Sequence, residues 1–184
     1  MEKIKVLAIV GSDMPPSSNL KLINYIKNEY KDLVEISILD YYDLAPYFMA
    51  ITDKNIMEEN LPRLNHINQA IEENDKIIIA CPEYDRSPPA RILNLLEWFS
   101  FKDNKIKSKP CLLLSASKGR HGGNRGLAIL RQALESPYLG ANVYPESIHI
   151  GKAFNIFTDD GSLADITYLS QLDKIINEFL ELKT

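Results

Sequence analysis

Ile4-Lys5-Val6-Leu7-Ala8-Ile9-Val10-Gly11-Ser12, near the start of the 184-residue chain, is a run of mostly branched aliphatic residues closed by glycine and serine. Side chains on a strand alternate between faces, so continuous apolarity predicts a strand buried on both sides, and the glycine ends it in a loop. Three later segments repeat that grammar. Lys76-Ile77-Ile78-Ile79-Ala80-Cys81 stops at Pro82, Cys111-Leu112-Leu113-Leu114-Ser115-Ala116 runs into a glycine-bearing loop, and Ser147-Ile148-His149-Ile150 ends at Gly151. Leu33 to Leu39 differs, because Val34, Ile36 and Ile38 alternate with polar neighbours as on an edge strand.

Amphipathic helical patterns lie between these strands. Leu20, Ile23, Ile26 and Lys27 follow a Ser/Asn cap at Ser17 to Asn19, and Leu61, Leu64, Ile67 and Ile71 repeat at three- and four-residue steps. Ile92, Leu95, Leu96 and Phe99 make a further stripe, as do Leu127, Leu130 and Leu134, and then Ile166, Leu169, Leu172, Ile176 and Phe179. Strands alternating with helices predict an α/β fold, a parallel sheet covered by helices on both faces. Asp40 to Asn60, a mixture of aromatics and acids, is expected to wander over the surface.

A chain of this length buries roughly 70% of the surface its unfolded form exposes, so one domain over residues 1–184 can carry its own core. With 21 basic and 25 acidic groups the net charge is −4, which excludes a broad basic face for bare nucleic acid but not a site for one phosphate. Cys81 and Cys111 are the only cysteines and sit beside apolar residues, so core packing is expected of both instead of a disulfide or zinc. His66, His121 and His149 have no metal-ligand spacing. Ser115 and Ser117 lack the G-x-S-x-G elbow of a hydrolase. No apolar run approaches the roughly 20 residues needed to cross a bilayer, and no cleavage signature follows the first apolar run. A cytoplasmic protein without membrane contact is expected.

In an open parallel sheet the ligand lies at the carboxyl ends of the strands, where strand order reverses. After the first strand, Gly11 to Asn19 leads straight into a helix with Ser12, Ser17, Ser18 and Asn19. Unpaired N–H groups at a helix start, with three hydroxyls and an amide, suit a phosphate; the same residues also cap helices. Neither G-x-x-x-x-G-K-[ST] nor G-x-G-x-x-G is present. After the third strand, Pro82, Pro88 and Pro89 fix much of the backbone from Cys81 to Ala90, which presents Tyr84 and the main-chain N–H groups in a set direction. After the fourth, Ser115 to Arg125 is rich in glycine, as a flexible connector is, or as a loop that a flat ligand approaches closely.

Together these loops resemble those of the NADPH-dependent FMN reductase family of the flavodoxin-like fold, over nearly the whole chain. Pro82-Glu83-Tyr84-Asp85-x-Ser87-x-Pro89, followed by Asn94 and Glu97-Trp98, is similar to the family's P-E-Y-N-x-S-x-P-G-x-L-K-N-x-I-D-W signature. Gly11-Ser12, Ser17 and Asn19 match its G-S-x-R-x-x-S-x-N phosphate loop. Ser117-x-Gly119-x-x-Gly122-Gly123-x-Arg125, with Leu130-Arg131 behind it, is similar to the third flavin loop, and Asp43-Leu44-Ala45-Pro46-Tyr47 to the loop after the second strand.

The resemblance implies a doubly wound five-stranded parallel sheet in the order 2-1-3-4-5, FMN as cofactor and NADPH or NADH as co-substrate. It implies that Ser12, Ser17, Ser18 and Asn19, in the loop that Gly11 opens, hold the FMN phosphate. Pro82, Glu83, Tyr84 and Asp85 would lie along the isoalloxazine edge, mainly through backbone groups, and Ser117, Lys118, Gly119 and Gly122 would close the other side. A homodimer or homotetramer, with the flavin near the subunit contact, is implied as well.

Three positions depart from the family pattern. Met14 stands where the family has Arg, and Pro15-Pro16 removes two N–H donors, which leaves Arg86, Arg91, Arg120 or Arg125 to supply a cation. Asp85 replaces an Asn, and an ionised carboxylate accepts hydrogen bonds without donating any, so near the flavin it would disfavour an anionic reduced form. The expected function is hydride transfer from NADPH or NADH to the flavin, then electron transfer to a quinone, azo compound, free flavin or metal oxyanion. The cofactor carries that chemistry, so no catalytic triad is expected. Two other readings are a flavodoxin-like electron carrier, whose T/S-x-T-G-x-T-like phosphate loop is missing here, and a flavin- or nucleotide-binding regulatory domain without turnover.

Overall fold

The computed structural model describes residues 3–12, 17–101, 104–158 and 162–182. β1 (Ile4–Val10) pairs in parallel with β2 (Val34–Ile38) on one side and with β3 (Lys76–Ala80) on the other. β4 (Pro110–Ala116) and β5 (Asn142–Ile150) complete a five-stranded parallel sheet in the order β2-β1-β3-β4-β5. The expected flavodoxin-like order is therefore present.

Alternation along each strand divides the core into two layers. Leu7, Ile9, Ile77, Ile79, Cys111 and Leu113 face α3 (Lys54–Glu72), α4 (Ala90–Phe101) and α5 (Asn124–Leu134). Val6, Ala8, Val10, Ile78, Leu112 and Leu114 face α1 (Ser18–Glu29) and α6 (Ile166–Glu181). The three central strands have no solvent side, and this explains their unbroken apolarity. Cys81 and Cys111 are free thiols in this core, each pushed up to about 12 by burial, so packing and not reactivity accounts for them.

Four details differ from the sequence reading. The segment 40–60 is ordered: α2 (Tyr47–Ala50) forms one turn, and Asp53 caps α3 by accepting the Asn55 N–H at 2.9 Å. The sequence hid this extension because Pro62 stands inside the helix, where it deletes one intrahelical donor without breaking the run. β5 begins at Asn142, five residues earlier than the pattern shows. Pro145 and Glu146 look like breakers, but they sit in a bulge between the pairs Cys111↔Val143 and Leu113↔Ser147. Arg131 Nη2 satisfies that bulge by donating to the carbonyls of Tyr144 and Pro145 at 2.7 and 3.2 Å.

The edge strand buries Val34 and Ile36 but leaves Ile38 exposed, and Leu39 replaces it in the core. Leu20 and Ile166, both in first turns, are also exposed; Leu22 with Ile23, and Leu172 with Ile175, make the buried faces of their helices. Among the described residues no helix is long and apolar enough to cross a membrane.

Candidate functional site

The connection from β1 leads to one edge of the sheet and that from β3 to the other, so strand order reverses between them. A cleft of about 560 Å³ opens at the carboxyl ends of these strands and β4. Its walls are Ser12, Ser18, Asn19, Pro82, Glu83, Tyr84, Ala116, Ser117, Lys118 and Phe154. The volume lies in the range of cofactor sites, roughly 300–1,000 Å³.

One wall is the start of α1. Ser17 is its N-cap, with Oγ accepting the Leu20 N–H at 3.0 Å, so capping occupies that hydroxyl. Ser12 and Ser18 line the cleft itself. Asn19 is buried and tied to the backbone of β4: its Nδ2 donates to the Ala116 carbonyl at 3.1 Å, and its Oδ1 accepts the Ala116 N–H at 3.0 Å. Gly11 packs beneath the wall, where a Cβ would stand 2.9 Å from Ile92 and 3.1 Å from Pro82. Met14, Pro15 and Pro16, where the chain departs from the family pattern, lie outside the described residues.

The second wall is a two-residue hairpin that the sequence did not reveal. Tyr84 and Ser87 exchange backbone hydrogen bonds, N to O at 3.0 Å and N to O at 2.9 Å in return. Asp85 and Arg86 between them have φ of 48° and 64°. Two left-handed residues in a two-residue loop are the requirement of a type I′ turn, for which Asn-Gly is favoured. The turn holds Tyr84 half-exposed at the cleft and places Asp85 at its tip, away from the cleft lining.

Glu83 lines the cleft, but its carboxylate points at α5, where Oε2 accepts the N–H groups of Arg125 and Gly126 at 2.9 and 3.0 Å. Behind it, Asn94 and Trp98 of α4 fix the loop after β2. Asn94 accepts the Tyr47 N–H and donates to the Ala45 carbonyl, which also accepts the Trp98 indole N–H at 2.8 Å. Trp98 is fully buried and its ring packs edge-on against Tyr47 and Phe101.

The third wall is stapled to the loop after β5. Ser117 N donates to Ile150 O, Ala153 N to Ser117 O, and Lys152 N to Gly119 O, at 2.9 to 3.2 Å. Gly122, at φ 59°, lies so close to the His149 carbonyl that a Cβ would sit 2.8 Å from its oxygen. Gly119 and Gly122 thus shape the loop without lining the cleft. Lys118 does line it, with Nζ 4.2 Å from the centre of the Phe154 ring.

Exposed cations collect at this end of a chain whose net charge is −4. Arg86, Lys118, Arg120, Arg125 and Lys152 stand on the loops after β3, β4 and β5 and on the first turn of α5. None is ion-paired among the described residues. Arg91, the other candidate, is turned away: its guanidinium lies over the Tyr42 ring and donates to the Tyr42 carbonyl. Phe154, in the cleft lining, lies outside the three loops that the sequence singles out; an aromatic just past the last strand is its signal.

A sheet of this order with a cleft at its reversal point, one wall a helix N-terminus, defines the class of flavodoxin-like doubly wound proteins. The model of the NADPH-dependent FMN reductase family matches residues 4–155, and the chain belongs to that family. It is an FMN-dependent NAD(P)H oxidoreductase. It is 34% identical over 175 residues to the CrdA subunit of NADH:(hydroxy)cinnamate reductase of Vibrio ruber, covering 95% of this chain and 84% of that protein. Subunit 2 of the NADH-dependent flavin reductase of Lactobacillus johnsonii is 30% identical, with 97% and 96% covered. The solved flavoenzyme NAD(P)H:(acceptor) oxidoreductase of Paracoccus denitrificans shares the fold, with a TM-score of 0.83, 24% identity, and 97% of this chain and 96% of that chain covered.

Proposed function

We propose that the cleft at the β1/β3 reversal holds FMN and that a reduced dinucleotide and a small electron acceptor use it in turn. The observation that carries this reading is the wall at α1, where Ser12 and Ser18 stand beside first-turn N–H groups that have no partner within the helix. That set of donors suits a phosphate. Ser12, Ser17, Ser18 and the backbone of Asn19 hold the phosphate end. The backbone of Pro82, Glu83 and Tyr84 lies along the ring system and Ser117 and Lys118 bound it opposite, while Asp85 at the hairpin tip and Gly119 and Gly122 behind the lining shape the two loops. When bound, FMN supplies the chemistry, taking a hydride from NADPH or NADH and giving two electrons to the acceptor. The protein orients the reactants, and the cationic rim draws in their phosphates.

A quinone, azo compound, free flavin or metal oxyanion fits an acceptor site that is open and walled by Tyr84 and Phe154. Steady-state rates with NADPH or NADH against such acceptors test the reading. Parallel double-reciprocal lines are expected of two half-reactions at one site, and intersecting lines contradict them. In a second reading the acceptor is carried by a partner subunit, favoured by the naming of both relatives as subunits. It requires turnover that rises sharply when that partner is added.

A homodimer or homotetramer belongs to the same proposal. An apolar groove of about 490 Å³ runs between α4 and the end of α5, beside Tyr47, Leu96 and Tyr138, and Phe48 and Tyr138 are 65% and 80% exposed. Light scattering on the purified protein tests it. A single domain over 1–184, placed in the cytoplasm where reduced dinucleotides and free thiols are maintained, completes the reading.

A further inference from the structure

The helix behind the glycine-rich loop lacks a cap of its own. Gly123, its N-cap residue, has φ 78° and no side chain to offer. It has to be glycine, because a Cβ there would stand 2.1 Å from Ser115 Oγ. The N–H groups of Arg125 and Gly126 are taken instead by Glu83, forty-two and forty-three residues earlier, in the loop after β3. Gly126 leaves room for that reach, since a Cβ on it would lie 3.3 Å from Glu83 Cβ.

We infer that Glu83 is a positioning residue, a cap supplied from a neighbouring loop that locks the Pro82–Ser87 wall to the wall built by Ser117–Gly123, and that its side chain does not contact the flavin. This rests on the flavin reading of the cleft. A carboxylate facing a helix N-terminus gains from both hydrogen bonds and the dipole, and here one oxygen serves both amides. Every shift of the hairpin that carries Tyr84 must then drag the start of α5, and with it the loop that bears Lys118. The spacing between the two walls is set before any ligand arrives.

Two variants separate reach from charge. Glu83→Gln keeps the length and an oxygen that accepts both N–H groups but loses the charge. Glu83→Asp keeps the charge and falls one methylene short. Amide exchange at Arg125 and Gly126, measured without FMN, is expected to quicken about tenfold or more in Glu83→Asp and to stay within about threefold of wild type in Glu83→Gln, as the loss or retention of two hydrogen bonds requires. FMN dissociation constants should follow the same order. Unchanged exchange in Glu83→Asp overturns the clamp. So does a Glu83→Gln protein that protects both amides yet loses FMN as Glu83→Asp does, because Glu83 would then touch the ligand. A wild-type protein that binds no FMN removes the flavin reading, while the exchange rates still decide whether the clamp exists.

Discussion

Lys118 and Phe154 meet across the mouth of the cleft, the ammonium 4.2 Å from the ring centre, although they come from different loops. The pair is partly open to water, and a cation over an aromatic face contributes about 0.5–1 kcal/mol at exposed sites. Its larger effect is to hold a charge and a flat surface where reactants enter. Phe154→Ala and Lys118→Ala are each expected to raise KM for NADPH about three- to tenfold with little change in kcat, a loss of roughly 1 kcal/mol of binding. With Lys118→Ala, the decline of kcat/KM with added salt should become shallower. Equal salt slopes in the variant and wild type would remove Lys118 from the steering role.

The hairpin at Asp85-Arg86 stores backbone strain that can be relieved. Arg86 has φ 64°, a region that costs an L-residue about 1–2 kcal/mol and glycine almost nothing. Part of that gain returns as chain entropy in the unfolded state. Arg86→Gly should therefore raise Tm by about 2–4 °C, the shift that roughly 1 kcal/mol gives a chain of this size. A lower Tm in calorimetry would show that the Arg86 side chain contributes more than its backbone costs.

His149 gives the fold a sensitivity to acid. Burial pushes its imidazole below the ordinary 6.5, and the Arg131 guanidinium adds to the shift. Its Nε2 sits 2.8 Å from Ser147 Oγ, while Nδ1 has no partner among the described residues. Below about pH 6.5 the unfolded chain takes up a proton that the folded chain resists, so stability is lost as pH falls and is unaffected by this group well above that value. His149→Gln should flatten the acid side of a Tm profile measured from about pH 5 to 8. Profiles that fall in parallel would assign the acid loss to other groups.

Asn94 carries two hydrogen bonds to the loop after β2, from the Tyr47 N–H at 2.7 Å and to the Ala45 carbonyl at 3.1 Å. Removing them leaves main-chain groups without partners, at about 1–3 kcal/mol. Asn94→Ala is expected to lower Tm by roughly 4–8 °C and to loosen the loop from Ala45 to Tyr47, read as faster amide exchange at Tyr47. Unaltered exchange would contradict this role for the motif's asparagine.

The strands of the central sheet were legible because burial on both faces leaves no room for polar residues, as in Ile77-Ile78-Ile79. The start of β5 was not, since Pro145 is tolerated only through a bulge whose carbonyls Arg131 satisfies from another element. The three loops of the cleft were found by their place at the strand ends, and Ser12, Ser18, Tyr84, Ser117 and Lys118 do line it. What spacing could not show is where polar side chains point. Asn19 reads as a phosphate contact and Glu83 as a backbone contact in sequence; the side-chain amide of the first pairs with Ala116 and the carboxylate of the second with α5. Those partners lie 97 and about 42 residues away, and only the folded chain brings them together.

The central claim, that the cleft at the β1/β3 reversal is an FMN site at which a reduced dinucleotide is oxidised, is tested most directly by anaerobic titration of the FMN-loaded protein. One equivalent of NADPH or NADH should bleach the flavin's visible absorption, and a quinone added afterwards should restore it. Protein that takes up no FMN, or whose bound FMN stays oxidised under excess NADPH and NADH, would contradict the account.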